Sequence, residues 1–318
     1  MFDYSEVATL IKEEFGPEWI EVLRRDTIFY ALCEDKKKTY VEKDIQWKIN
    51  YAGNDSVGSY SENASFGTAG EQSFTTARLE WKLNKAVVRV SGLAQAVSQS
   101  DNSIIDSIAN ETESALRDLK RQINLQLLSD GVGNLNGLRP ELKNTGEDLT
   151  GIMAAIDDGS QVPIYAGIDR TLSLWWQSFV LDNGGTPRAL TEELMFQVMN
   201  EIEVRGGKVT HILCSPSTWT KYGLLLKQER RQVTQEYKLI GGFQTLDFNG
   251  IPVVKVPDYE EGRMDFIDKD QLHYMVLTDF AVEPRDPGSF DAAQFFLKHY
   301  SQLKYENPWL SGSLRDVA

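Results

Sequence analysis

Apolar residues recur over residues 103–130 at the spacing of a single helix face. Ile104, Ile108, Thr112, Leu116, Leu119, Ile123 and Leu127 fall three or four positions apart, which lines them up on one stripe of a 3.6-residue turn. Ser103 is placed as the N-cap and Asp106 sits near the positive end of the helix dipole. Glu113 and Arg117 form a favourable i,i+4 pair, and Gly131 offers a C-terminal stop. At 1.5 Å per residue the helix runs to roughly 40 Å. That length predicts a spine across an extended molecule.

Two other stretches switch to a period of two. Ile45, Trp47, Ile49 and Tyr51 alternate with Asp44, Gln46, Lys48 and Asn50. Ala77, Leu79, Trp81 and Leu83 alternate with Arg78, Glu80, Lys82 and Asn84, and residues 86–90 extend the second strand. Between them, residues 52–73 are dominated by Gly, Ser, Asn and Ala. A connection that long without structure of its own is usually functional or disordered, so the pattern predicts a long hairpin with a loose tip. An isolated hairpin is marginal in water, and something must cover its apolar face. The cover is either the same chain or a neighbouring copy. On the second alternative, Ile45, Trp47, Ile49, Leu79, Trp81 and Leu83 are the candidate subunit-interface residues.

Residues 1–43 read as an arm with little core of its own. Val7, Leu10, Ile11 and Glu14 suggest one amphipathic turn or two, and Trp19, Ile20 and Leu23 another. The Lys36, Lys37, Lys38 triplet reads as a solvated turn. After the spine, residues 131–167 are rich in Gly and Asn and break into short pieces. Thr191 then caps a helix with Leu194, Met195, Val198, Met199 and Ile202 on one side. A short buried strand follows around His211–Cys214, and Ser215-Pro216 opens a third helix. Asn249-Gly250 supplies the positive φ angles of a tight hairpin turn. Residues 265–278 give two strands around 268–271, and residues 294–305 a late strand. Helices and strands together over about 168–262 describe an α+β domain.

Composition narrows the functions. The chain has 318 residues, 41% hydrophobic, with seven Trp, which describes a folded protein. It contains no run of about 18 apolar residues long enough to span a membrane, and its acidic start lacks the basic flank and apolar stretch of a signal peptide. Cys33 and Cys214 lie too far apart for a metal cluster or a disulfide framework, which suits a reducing cytoplasm. A formal charge of −14 argues against gripping nucleic acid by counterion release. GxSxG, P-loop, HExxH and GxGxxG motifs in a suitable context are absent from the sequence. His211, His273 and His299 fall in predicted strands, where a packed histidine is commoner than a ligand or base. The pairs Asp157-Asp158, Glu192-Glu193 and Glu260-Glu261 are adjacent, so their side chains do not converge on one bond. Cys214 has the setting of a small buried hydrophobe. No catalytic, cofactor-binding or metal-binding residue is predicted. An α+β enzyme or ligand module without a known motif is the competing reading.

Three stretches together resemble the major capsid proteins of tailed bacteriophages, whose fold is named after phage Hong Kong 97. They are Gly167-Ile168-Asp169-Arg170 with Trp175-Trp176, then His211 to Leu226 with Phe248-Asn249-Gly250-Ile251-Pro252-Val253, then residues 303–314 with Asn307-Pro308. The likeness covers nearly the whole chain and keeps the family's order of elements. It implies an α+β fold with an N-terminal arm (1–43), an extended β-hairpin loop (44–92) and a peripheral domain with the spine (93–167). An axial domain (168–262) and strands returning to the peripheral domain (263–318) complete it. It also implies hexamers and pentamers of this chain closing into an icosahedral shell around double-stranded DNA, held without sequence-specific binding. The implied protein partners are a portal and a separate scaffolding or decoration protein. The implied location is the virion, after synthesis in the host cytoplasm. An encapsulin-like protein compartment has the same fold and is the alternative.

Overall fold

The computed structural model describes residues 27–64, 67–93, 107–129, 147–229, 237–238, 244–286, 288 and 290–318. The expectations for residues 1–26, Ser103, Ile104, Asp106 and Gly131, and for the side chain of Ile108, lie outside the described residues.

In chain order come helix α1 (Ile28–Glu34), strand β1 (Lys37–Thr39), strands β2 (Ile45–Ala52) and β3 (Ser73–Leu79), and strand β4 (Lys82–Ser91). The spine α2 (Ser107–Leu128) and the single turn α3 (Ile152–Ala155) follow. Next are the short strands β5 (Ile164–Tyr165), β6 (Ile168–Asp169) and β7 (Phe179–Leu181), helix α4 (Glu192–Val204), β8 (His211–Cys214) and helix α5 (Pro216–Glu229). The chain closes with β9 (Tyr237–Lys238), β10 (Gln244–Phe248), β11 (Ile251–Lys255), β12 (Met264–Ile267), β13 (Leu272–Arg285), β14 (Ala292–Tyr305) and β15 (Gly312–Leu314).

Two sheets organise these elements. One has four strands in the order β1-β13-β14-β4, built on the long antiparallel pair β13–β14. The other has seven, in the order β7-β15-β12-β8-β11-β10-β9. Strand β8 shows how they share the interior, because successive side chains point to opposite faces. Ile212 and Cys214 pack into a core with Met195, Val198, Met199 and Ile202 of α4, while Leu213 between them joins the larger core under the four-stranded sheet. The two bodies therefore meet across the inner face of one sheet.

Local signals account for the helices. Thr191 Oγ accepts the Leu194 N–H at 3.4 Å, and Ser215 Oγ the Thr218 N–H at 3.3 Å, each satisfying an orphan donor of a first turn. Asn249 and Gly250 turn β10 into β11 with φ of 51° and 82°. In α2 the apolar stripe holds Leu119, Ile123 and Leu127 in the core, with Leu116 half-buried beside it. From Ile123 to Ser129 every residue is buried, so the last two turns run inside the protein. Asn124 there accepts the Tyr30 N–H at 2.9 Å. Gly151 lies so close to the helix end that a Cβ would come 2.5 Å from the Ser129 carbonyl oxygen.

Three expectations need correction. The Lys36–Lys38 triplet is no solvated turn: Lys37–Thr39 is a strand parallel to β13, and Lys36 and Lys37 pair with Asp270 and Asp279. Its neighbour α1 is buried through Phe29 and Cys33, so residues 28–39 belong to the main body and not to an arm. The division of the chain also shifts. Strand β4, placed with the extended loop, belongs to the four-stranded sheet. Within 263–318 only β13 and β14 return to that sheet, while β12 and β15 complete the seven-stranded one.

Candidate functional site

The hairpin β2–β3 pairs Ile45 with Leu79, Trp47 with Ala77 and Ile49 with Thr75. Its base is seated on the chain's own body by aromatic side chains. The Trp47 indole N–H donates to the Glu306 carbonyl oxygen at 3.0 Å, its ring lies 6.5 Å from Trp176, and the Lys304 ammonium stands 4.9 Å over it. Trp176 is fully buried and donates to the Tyr165 carbonyl. Tyr51 stacks on Trp175 at 4.9 Å, and the Arg78 N–H donates to the Ala166 carbonyl at 2.8 Å. On the loop beyond this seat Val57 is 83% and Tyr60 65% exposed, and on β3 Phe74 is 59% exposed.

The six predicted interface residues are not one uncovered face. Ile45 and Leu79 are buried in the chain's own core, and Trp47, Ile49 and Trp81 are partly buried against it. Trp81 donates to the Glu42 carbonyl at 2.7 Å. Leu83 is 64% exposed, but it stands on β4 opposite Tyr300. The physical reason is pairing. Ile45 is the first residue of β2, so beyond Leu79 the strand has no hairpin partner, and after Glu80 and Trp81 it pairs with β14 instead. The sequence pattern did not mark the exposed aromatics Tyr60, in the Gly- and Ser-rich loop, and Phe74, on β3 opposite Asn50, although an aromatic in such a loop is a readable signal.

A second constellation lies between the two sheets. Arg170 is buried and donates to the carbonyl oxygens of Ala154 at 2.8 Å, Val162 at 3.3 Å and Ala155. Burial lowers its pKa to about 10, which leaves it charged at neutral pH. Asp157 is fully buried and accepts the N–H groups of Gly159, Gln161 and Val162 and the Arg315 guanidinium at 2.6 Å. Burial pushes its carboxyl up, but the Val162 N–H and Arg315 outweigh that and hold it below the usual range. Arg263 lies on Asp265 at 2.9 Å and donates to the Ile156 carbonyl, while the Tyr259 hydroxyl donates to Asp265. From sequence, Arg170 stood out in the resemblance and Asp157 as one of an adjacent acidic pair. The partners of Arg170 are distant along the chain, and Asp157 had the pattern of a loop residue.

The histidines are packed. His299 is fully buried, stacks on Phe280 at 4.2 Å and shares a 2.6 Å hydrogen bond with the Tyr274 hydroxyl. Burial lowers it and His211 to about 4. Burial also pushes the Cys214 thiol up to about 12, away from reactivity. Among the described residues no group of three His, Cys, Asp or Glu is placed to hold a metal ion.

These two constellations are structural: one projects a hairpin, the other locks two bodies together. Comparison with known proteins agrees. No curated protein sequence matches the chain. The capsid subunit of cyanophage A-1(L) superposes with a TM-score of 0.74 at 17% identity, covering 95% of both chains. The structure of Gordonia phage Cozz gives 0.62 at 12% identity, over 100% of this chain and 95% of the other. The SrpI encapsulin of Synechococcus elongatus PCC 7942 gives 0.63 at 10% identity, over 100% and 96%. At such identities the likeness shows the fold, that of the Hong Kong 97-type capsid proteins. The profile of the SU10 major capsid protein family matches residues 58–318. The chain belongs to the SU10 major capsid protein family, the major capsid proteins of tailed phages.

Proposed function

We propose that this capsid subunit assembles with copies of itself, as hexamers and pentamers, into an icosahedral shell around double-stranded DNA. The observation that carries the reading is the hairpin, whose base is seated on its own body while Val57, Tyr60 and Phe74 are largely exposed. Exposed apolar side chains grouped on a projecting element mark a contact surface. In a closed ring each copy uses such a patch once as giver and once as receiver.

The subunit acts structurally and not catalytically, without an essential metal or cofactor. Its working parts are the hairpin as extended loop, a peripheral body on the four-stranded sheet and an axial body on the seven-stranded one. A portal and a separate scaffolding or decoration protein are its expected partners. A formal charge of −14 suits a wall that repels the packaged DNA and does not bind it by sequence. The subunit is made in the host cytoplasm and resides in the virion.

Sedimentation and electron microscopy of the expressed chain test this. Closed particles of many copies are expected, and a chain that stays monomeric under all assembly conditions would sink the proposal. The encapsulin likeness motivates a second reading, a protein-filled compartment. Nuclease-protected DNA in particles recovered from an infected host separates the two.

A further inference from the structure

We infer that the bulge of β13 at Asp279 and Phe280 is a proton-operated clasp, closed by His299, that sets the bend of the four-stranded sheet. Between the pairs Thr278–Tyr300 and Ala281–Lys298, β13 advances three residues and β14 two. Asp279 and Phe280 therefore share one opposite residue, His299. An extra residue on one strand bends the sheet and raises its local twist. Before the bulge, residues 272–276 of β13 lie between β14 and β1. After it, residues 281–285 pair with the part of β14 that carries β4. The bulge is the joint between these two halves of the sheet.

Both bulge residues rest on His299. The Phe280 ring stacks on the imidazole at 4.2 Å and 13°, and an Asp279 oxygen, Oδ1, lies 3.6 Å from Nδ1. The Tyr274 hydroxyl donates to Ser301 at 3.0 Å and shares a 2.6 Å bond with Nε2. Its one hydrogen is spent on Ser301, so Nε2 carries the hydrogen of the neutral ring. Nδ1 is left buried without a partner, facing a carboxylate. A proton there turns an orphan acceptor into a charge-assisted donor to Asp279. The same Oδ1 accepts the Phe280 N–H at 3.0 Å, and the other carboxylate oxygen pairs with Lys37 of β1. Drawing the carboxylate to His299 loosens the Phe280 amide and the hold on β1 together.

The groups around the ring decide when the clasp closes. Tyr274 and Asp279 of β13, Lys37 of β1 and Lys120 of α2 act on it, with Tyr30 and Cys33 of α1 behind Tyr274. Strand β4 sets the neutral Asn84 opposite. Burial keeps His299 neutral down to about 4, against Asp279 and aided by the two lysines. Burial raises the Asp279 carboxyl, but Lys37 and the Phe280 N–H outweigh it and hold it below the usual range. The carboxylate is thus still charged when the proton arrives.

Hydrogen exchange, corrected for its intrinsic pH dependence, tests the clasp in the full chain. As pH falls from 6.5 through about 4, the Phe280 amide is expected to exchange about tenfold faster relative to its intrinsic rate. In His299→Gln and in Asp279→Asn that protection is expected to stay constant. Spin labels at Thr39→Cys and Lys85→Cys, one on each half of the sheet, are expected to change separation over the same window, and not when Asp279→Asn is added. Circular dichroism checks that each variant is folded, and if one is not, the other decides. Constant protection in the wild type, an equal loss in both variants, or a fixed label separation overturns the clasp. The measurements read one subunit, so that failure leaves the shell reading standing.

Discussion

Arg170 illustrates how much one residue holds at the junction. Its guanidinium satisfies the carbonyl oxygens of Ala154, Ala155 and Val162; an apolar replacement removes that donor from all three and leaves Ala155 only the long 3.4 Å bond from the Ser178 hydroxyl. Arg170→Met is expected to cost about 3–5 kcal/mol, read as a lower urea midpoint of the unassembled subunit. A loss below about 1 kcal/mol would mean that other donors reach these carbonyls. His299 makes stability depend on pH. Its folded pKa, about 4, lies below the ordinary 6.5 because of burial, against the raising effect of Asp279, with Lys37 and Lys120 lowering it further. The neutral form is therefore favoured in the fold. Its contribution is complete above pH 6.5 and is lost as pH falls from there through about 4. Burial gives His211 the same sign. His299→Gln is expected to flatten this acid limb by about 2 kcal/mol, measured as unfolding free energy across that window. An unchanged pH profile would show that His299 is not the titrating group.

At the scale of elements, the spine and the hairpin depend on burial in different ways. Helix α2 is amphipathic through Leu119 and enclosed on all sides from Ile123. A cavity there cannot be relieved by solvent, so Ile123→Ala is expected to cost about 2–5 kcal/mol and Leu116→Ala clearly less. Equal losses in thermal unfolding would mean that the helix is buried evenly along its length. The hairpin is held instead by its seat. Trp47→Ala removes the bond to Glu306 and the packing on Trp176, and hydrogen exchange in β2 and β3 is expected to quicken. Amides of β13 and β14 should stay protected, because their ladder does not involve Trp47. Loss of protection in both sheets together would make the hairpin part of one cooperative unit.

For the molecule as a whole, folding and assembly draw on separate parts of the chain. Both cores lie outside the hairpin tip, so deleting residues 53–70 is expected to leave native-like circular dichroism. The same deletion should leave only small oligomers in sedimentation, because many copies multiply a loss of about 1–2 kcal/mol per contact. Intact shells from the deleted chain would make the loop a dispensable surface feature. Global unfolding would place it in the subunit's own core.

Patterns that depend on near neighbours were legible from sequence. The helix stripe through Leu119, Ile123 and Leu127, the caps Thr191 and Ser215, and the Asn249-Gly250 turn each follow from residues a few positions apart, and those determined the local elements. The resemblance in Gly167–Arg170 and in the residues around Asn249 pointed to the fold. Tertiary structure alone decided what depends on distant partners. The period-two pattern ran unbroken through Leu79, Trp81 and Leu83, yet the chain changes sheets there because β14 offers Leu83 a partner and β2 has ended. Alternation reports which residues share a side, not which strand lies alongside. The Lys36–Lys38 triplet looked solvated because Asp270 and Asp279 lie more than two hundred residues away in sequence. Asp157 lies in a loop, but its burial was not legible because Arg315, which neutralises it, arrives only when the last strand closes the sheet.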